Sequence, residues 1–239
     1  MVRKRAIIIT LLLVAALCLA SCSSEPEVVE DPVVVVCIGD SITFGAGVNS
    51  SEKTYPGKLQ KLLGSSYTVK NRGGNGRTLQ RDGKDSEDDP EGMQMTIWDS
   101  MYYNNAIADN PEIMIVMFGT NDAKWFNWNA EQYEATYVEL INTFKALETS
   151  PDIYIMIPPA AFEPQEEGEE GVPSIDRDVV ANELGPIVRR VAESTGSGLI
   201  DIYSITKDHP EYFPDGIHPN AEGNTVIAQT VYDAVNWQR

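Results

Sequence analysis

Three cysteines and two histidines are all that the 239 residues provide. Cys18 falls inside an N-terminal apolar run and Cys22 at its end, so the body of the chain holds one cysteine, Cys37. That excludes a disulfide framework and any cysteine-based metal site. Cys37 itself lies within a run of valines and is expected to pack as a small hydrophobe. The scarcity of histidine narrows the chemistry further, because any step that needs an imidazole must draw on His209 or His218. Basic residues are the third shortage. Eighteen Lys and Arg stand against 36 Asp and Glu, a formal charge of −18, which argues against nucleic acid or an anionic lipid headgroup as the main partner.

The one long apolar stretch, Ala6 to Ala20, is short for a membrane span. It follows Arg3, Lys4 and Arg5 and ends in Leu19-Ala20-Ser21-Cys22, the layout of a secretory signal. Leu-Ala-Ser-Cys resembles the bacterial lipobox, which implies cleavage before a lipidated Cys22; the alternative is ordinary secretion with an incidental cysteine. The expected organisation is a signal peptide over 1–21, a flexible acidic tether over 22–32 and one domain over 33–239. The protein would then be exported and held at a membrane through Cys22 only, in the periplasm or at the cell surface. Loss of the signal removes three basic residues and no acid, so the domain is more acidic than the whole chain.

Within the domain, Val33-Val34-Val35-Val36-Cys37-Ile38 has no polar alternation and reads as a strand buried on both faces. Tyr67 to Lys70, Ile113 to Phe118, Ile153 to Ile157 and Leu199 to Ile202 supply four more strands. Helical spacing is expected over Tyr55 to Leu63, Met93 to Ile107, Ala130 to Leu147, Ile175 to Thr195 with a break at Gly185-Pro186, and Ala221 to Asn236. Such alternation predicts an α/β fold: a three-layer α/β/α sandwich on a mainly parallel five-stranded sheet. Asp82 to Glu91 and Phe162 to Pro173 are acidic loops, the first read as a mobile excursion.

Four polar clusters follow strands or precede the last helix: Asp40-Ser41, the glycine loop Gly73 to Gly76, Asn121-Asp122, and Asp215 with His218. In a parallel sheet the strand ends share one edge, where ligands bind, so clusters far apart in sequence can converge. Asp40-Ser41 alone is also the pattern of a helix cap, and Asp215-Gly216-Ile217-His218 alone that of a turn. Together they offer a hydroxyl, an imidazole and a carboxylate able to orient the ring. His209, beside Pro210 and Glu211, reads as a surface residue.

Gly39-Asp40-Ser41, Asn71-x-Gly73-x-x-Gly76, Gly119-Thr120-Asn121-Asp122 and Asp215-x-x-His218 resemble, in order, the four sequence blocks of the SGNH or GDSL hydrolases. The resemblance implies a flavodoxin-like fold and ester hydrolysis with neither metal nor cofactor. It implies Ser41 as nucleophile, His218 as general base and Asp215 as its orienter. The backbone N–H groups of Ser41 and Gly76 and the amide of Asn121 would form the oxyanion hole. Asp40 and Asp122 would brace the loops. The stretch Asn121 to Trp128 and the Pro158-Pro159 loop also resemble bacterial carbohydrate O-acetylesterases, including sialate and xylan acetylesterases. The expected partner is therefore an acetylated carbohydrate or another short-chain ester, with Trp125, Trp128 and Arg77 as substrate-binding candidates. Two other readings stand beside it: a lipase or lysophospholipase, and a non-enzymatic carbohydrate- or metal-binding lipoprotein. Arg72, Arg77, Arg81 and Lys84 form either an anion site or ion pairs with Asp82, Asp85 and Glu87, the second being favoured. The oligomeric state is left open.

Overall fold

The computed structural model describes residues 31–87, 95–98, 100–164 and 174–237. The expected signal peptide, Cys22, nearly all of the tether and parts of both acidic loops lie outside the described residues. Five strands, β1 (Val33–Gly39), β2 (Tyr67–Gly73), β3 (Ile113–Met117), β4 (Asp152–Ile157) and β5 (Gly198–Asp201), form one sheet in the order β2-β1-β3-β4-β5. Every neighbouring pair is parallel. This is the flavodoxin-like order, whose ligand crevice lies between the carboxyl ends of β1 and β3, where the chain reverses its direction of winding.

The continuous apolar runs are explained by burial on both sheet faces. Val36, Ile38, Met114, Val116 and Ile155 face one core, while Val35, Cys37, Ile113, Ile115 and Met156 face the other. The first core is closed by α4 (Ala130–Lys145) and by α5 (Arg177–Asn182) with α6 (Leu184–Thr195). The second is closed by α2 (Tyr55–Leu63) and α8 (Ala221–Ala234). Tyr133, Tyr137, Leu140, Ile141 and Phe144 form the buried stripe of α4, the spacing expected of a helix with one face on a core. Burying aliphatic or aromatic side chains of this size stabilises by about 1.5–3 kcal/mol each.

Two expected helices differ. Among the described residues, the helix expected over Met93–Ile107 is found as α3 (Met101–Ala108), which starts where Ser100 caps the N–H of Tyr103. Met95, Ile97 and Trp98 are buried, but in a non-helical segment that bridges Thr96 to Thr78 and in which the Trp98 indole donates to Leu79 O at 2.9 Å. Their apolar spacing therefore reports tertiary contact and not helix. In the second case the break falls at Glu183, ahead of Gly185-Pro186. Pro186 thereby sits in the first turn of α6, where its missing N–H costs no hydrogen bond.

Candidate active site

The chain leaves β1 at Gly39 and turns at once into α1 (Ser41–Phe44). Asp40 caps this short helix, its Oδ1 accepting the Ile42 N–H at 2.9 Å. Ser41 is thus the first helical residue, held on a tight strand-to-helix turn with 7% of its surface exposed. Beyond α1, Gly47 has φ +91°, and a Cβ there would come within 3.1 Å of His218 Cβ and Pro219 O. Glycine at this position lets the loop carrying His218 close onto the turn.

That loop is organised by Asp215. Its Oδ1 accepts the backbone N–H groups of Ile217 at 2.9 Å and His218 at 2.7 Å, and its Oδ2 lies 2.6 Å from His218 Nδ1. The other ring nitrogen, Nε2, is 2.9 Å from Ser41 Oγ. Burial pushes the Asp215 carboxyl up, but the bonds from the His218 ring and from the two N–H groups outweigh it and hold the group at about 2. An ionised carboxylate only accepts, so Nδ1 carries the ring proton and Nε2 faces Ser41 as an acceptor. The loop is anchored from behind by Asn224 of α8. Its Oδ1 accepts the Tyr55 N–H at the start of α2, and its Nδ2 donates to Pro219 O and Asn220 O.

Sheet register brings the other two clusters to the same edge. Gly39 pairs with Gly73 on one side and with Met117 on the other, so the loops after β2 and β3 flank Ser41. Asn121 donates one amide hydrogen to Arg77 O at 3.3 Å, leaving the second for a ligand. Gly76 has φ +70°, and a Cβ there would lie 2.3 Å from Met95 Cε. Among the described residues, neither its N–H nor that of Ser41 is taken up by a turn or cap bond.

Asp122 ties these loops together. It is fully buried and accepts the N–H groups of Leu79 and Gln80 at 2.8–3.0 Å. Burial raises the carboxyls of Asp40 to about 7 and of Asp122 to about 6, against the opposing pull of their backbone donors. Asp40 braces the turn and Asp122 the loop after β2, as expected from the sequence.

The three substrate-binding candidates each have other contacts within the described residues. Trp128 packs on Tyr133 and its indole donates to Glu183 Oε2 at 3.0 Å. Trp125 is 55% exposed and lines a separate groove with Ser174 and Asp176. Arg77 offers its carbonyl to Asn121, while its guanidinium donates to Thr96 O and stands over Tyr102. The expected ion pairs of the basic cluster also differ. Arg72 forms a bidentate pair with Asp109 and Arg81 pairs with Glu139, whereas Asp85 is taken by Lys124. His209 meets Glu211 at the surface, as expected.

Reading the sequence missed Gln80, Lys124, Asn127 and Asn224, all of which hold the site loops. Asn224 had a signal: a lone amide in the apolar row Asn224, Ile227, Ala228, Val231 of α8. The others carry no local signal, because their partners lie about 40 residues away.

Comparison with known proteins gives the family. The model of the GDSL-like Lipase/Acylhydrolase family matches residues 37–226, a span that contains all four clusters. The chain belongs to that family. It is 30% identical over 232 residues to an acetylxylan esterase from Xylanibacter ruminicola, an alignment covering 89% of this chain and 45% of that protein. The chain thus spans about half the length of that curated relative. Among solved structures, a carbohydrate acetylesterase from Sinorhizobium meliloti superposes with a TM-score of 0.67 at 23% identity, covering 85% of this chain and 100% of that one. A putative arylesterase from Agrobacterium tumefaciens gives 0.63 at 24% identity with the same coverage. At that identity the structural likeness speaks for the shared sandwich of this GDSL-like acylhydrolase.

Proposed function

We propose that this chain is a serine esterase that removes short acyl groups, acetyl foremost, from carbohydrate. The observation that carries the reading is the relay from Asp215 Oδ2 through His218 to Ser41 Oγ, with separations of 2.6 Å and 2.9 Å. Ser41 Oγ attacks the ester carbonyl as His218 Nε2 takes its proton, and Asp215 stabilises the imidazolium. The carbonyl oxygen becomes an oxyanion. The Ser41 and Gly76 N–H groups and the Asn121 amide receive it, each such donor lowering the barrier by roughly 3 kcal/mol. His218 then protonates the departing sugar oxygen, leaving acyl-Ser41. Water deprotonated by the same Nε2 releases the acid and restores the serine. Every proton passes through one ring.

Acetylated carbohydrate as substrate is supported by the acetylxylan esterase relative. One observation favours the longer-chain alternative. A groove of about 430 Å³ beside α1 is lined by Phe44, Val48, Met101 and Tyr102, although not by Ser41. Phe44 and Met101 are 47% and 66% exposed. Export as a lipoprotein anchored through Cys22 belongs to the same proposal and rests on the sequence.

Acetate release from acetylated xylan, measured with a series of p-nitrophenyl esters of rising chain length, tests the reading. Release from xylan, fastest aryl turnover on acetate and indifference to chelator are expected, with Ser41→Ala as the blank. Turnover that climbs with chain length and no release from xylan would transfer the assignment to a lipase.

A further inference from the structure

The acidic segment after β2 was expected to be a mobile excursion, yet its first residues are pinned. Asn127 clamps Lys84 from both sides. Its Oδ1 accepts the Lys84 N–H at 2.9 Å, and its Nδ2 donates to Lys84 O at 2.9 Å and to Asn121 O at 3.2 Å. Gly83 O accepts the Met95 N–H at 3.1 Å. Lys124, only 5% exposed, sends its ammonium to Asp85 O at 3.2 Å and Asp85 Oδ1 at 3.4 Å.

The residue fixed by these contacts is Asp85. Its side chain remains 59% exposed, and its Oδ1 lies 3.8 Å from the point that a Cβ on Gly76 would occupy. A solvent-facing carboxylate is thus anchored beside Gly76, whose N–H is a proposed oxyanion donor. Two long-range devices, both reaching back to the Asn121 turn, set its position. Left alone, a negative charge there would oppose the developing oxyanion. The buried ammonium of Lys124 offsets it.

We propose that Asp85 is a specificity-determining residue whose carboxylate accepts a hydrogen bond from a free hydroxyl of the sugar bearing the scissile acetyl group. The proposal rests on Ser41 acting as nucleophile toward an acetylated sugar. An acceptor held beside Gly76 suits a neutral polyol, since a hydroxyl can donate to it. A carboxylate-bearing sugar meets like charge at the same place. Of the four cations of the basic cluster, Arg72 and Arg81 are paired with Asp109 and Glu139, and the Arg77 guanidinium donates to Thr96 O and stands over Tyr102. Lys124 and Asn127 are positioning residues for Asp85.

The test compares monoacetylated xylobiose, which keeps free hydroxyls, with xylose tetraacetate, which has none, through the ratio of their kcat/KM values. Asp85→Asn should lower that ratio about tenfold or more, the loss expected when a hydrogen bond to a charged acceptor becomes a neutral one. Glu87→Gln removes a neighbouring exposed charge and should leave the ratio in place. Asp85→Asn keeps the main-chain carbonyl that Lys124 holds, so the loop retains that anchor. Lys124→Met should depress kcat on p-nitrophenyl acetate, and Lys124→Met/Asp85→Asn should restore part of it. An unmoved ratio in Asp85→Asn, or an equal fall in Glu87→Gln, would overturn the assignment. A wild-type protein that cleaves p-nitrophenyl acetate but neither sugar would overturn it differently, by removing the carbohydrate reading beneath it.

Discussion

Replacing Asp215 with asparagine changes one atom of the relay and inverts its polarity. In the native site Oδ1 collects two backbone N–H groups and Oδ2 faces His218 Nδ1 at 2.6 Å. An asparagine must keep its oxygen toward those N–H groups, because its amide facing them would set donor against donor. The amide nitrogen then faces Nδ1, which must give up its proton and accept. The ring carries that proton on Nε2 instead, pointing at Ser41 Oγ, where it can no longer receive one. Catalysis through the ring is lost with the geometry intact, and a tautomer error of this kind costs roughly 10³–10⁴ in kcat.

The same variant makes a second, independent prediction. The native carboxyl lies at about 2, depressed from 3.8, so it adds stability of about 2 kcal/mol above pH 4 that disappears as pH falls toward 2. Asp215→Asn should therefore melt lower than wild type at pH 7, with the gap closing at pH 2–3. Initial-rate assays on p-nitrophenyl acetate and thermal melts across pH supply the data. Retention of more than about a tenth of kcat would refute the argument that Asp215 fixes the tautomer of His218.

Asn121→Ala removes one donor from the oxyanion and should lower kcat by about 10²–10³ with little change in KM; a change confined to KM would remove Asn121 from that role. Asp40 makes a pH prediction of opposite sign to Asp215. Burial raises its carboxyl to about 7, so the stability associated with its proton is complete below pH 4 and is lost as pH rises through 7. Asp40→Asn can keep the cap on Ile42 N–H without that liability. It should flatten the fall in melting temperature between pH 5 and pH 8, and an unaltered pH profile would contradict the burial argument.

The sheet was legible because burial on both faces leaves no polar residue in β1 or β3. The convergence of the four clusters was legible because parallel strands put their carboxyl ends on one edge. The Met93–Ile107 error shows where this reasoning stops. Ile97 and Trp98 are apolar because they join Leu79 in the core, and apolar spacing cannot separate that cause from a helix face. Lys124 failed for the opposite reason. A lysine in a polar turn reads as solvated, and only its contact with Asp85, 39 residues upstream, makes it a buried cation. The Arg72–Asp109 and Arg81–Glu139 pairs were illegible likewise, since nearer acids along the chain were the obvious partners.

Ser41 is the hydroxyl that the proposed relay activates. A fluorophosphonate ester, which phosphonylates a nucleophilic serine and mimics the tetrahedral intermediate, tests this directly when followed by intact-mass and peptide mass spectrometry. One adduct per chain is expected on the peptide that contains Ser41, with loss of esterase activity in step with labelling and no adduct in Ser41→Ala. An unlabelled but active protein, or an adduct on any other residue that tracks the loss of activity, would contradict it.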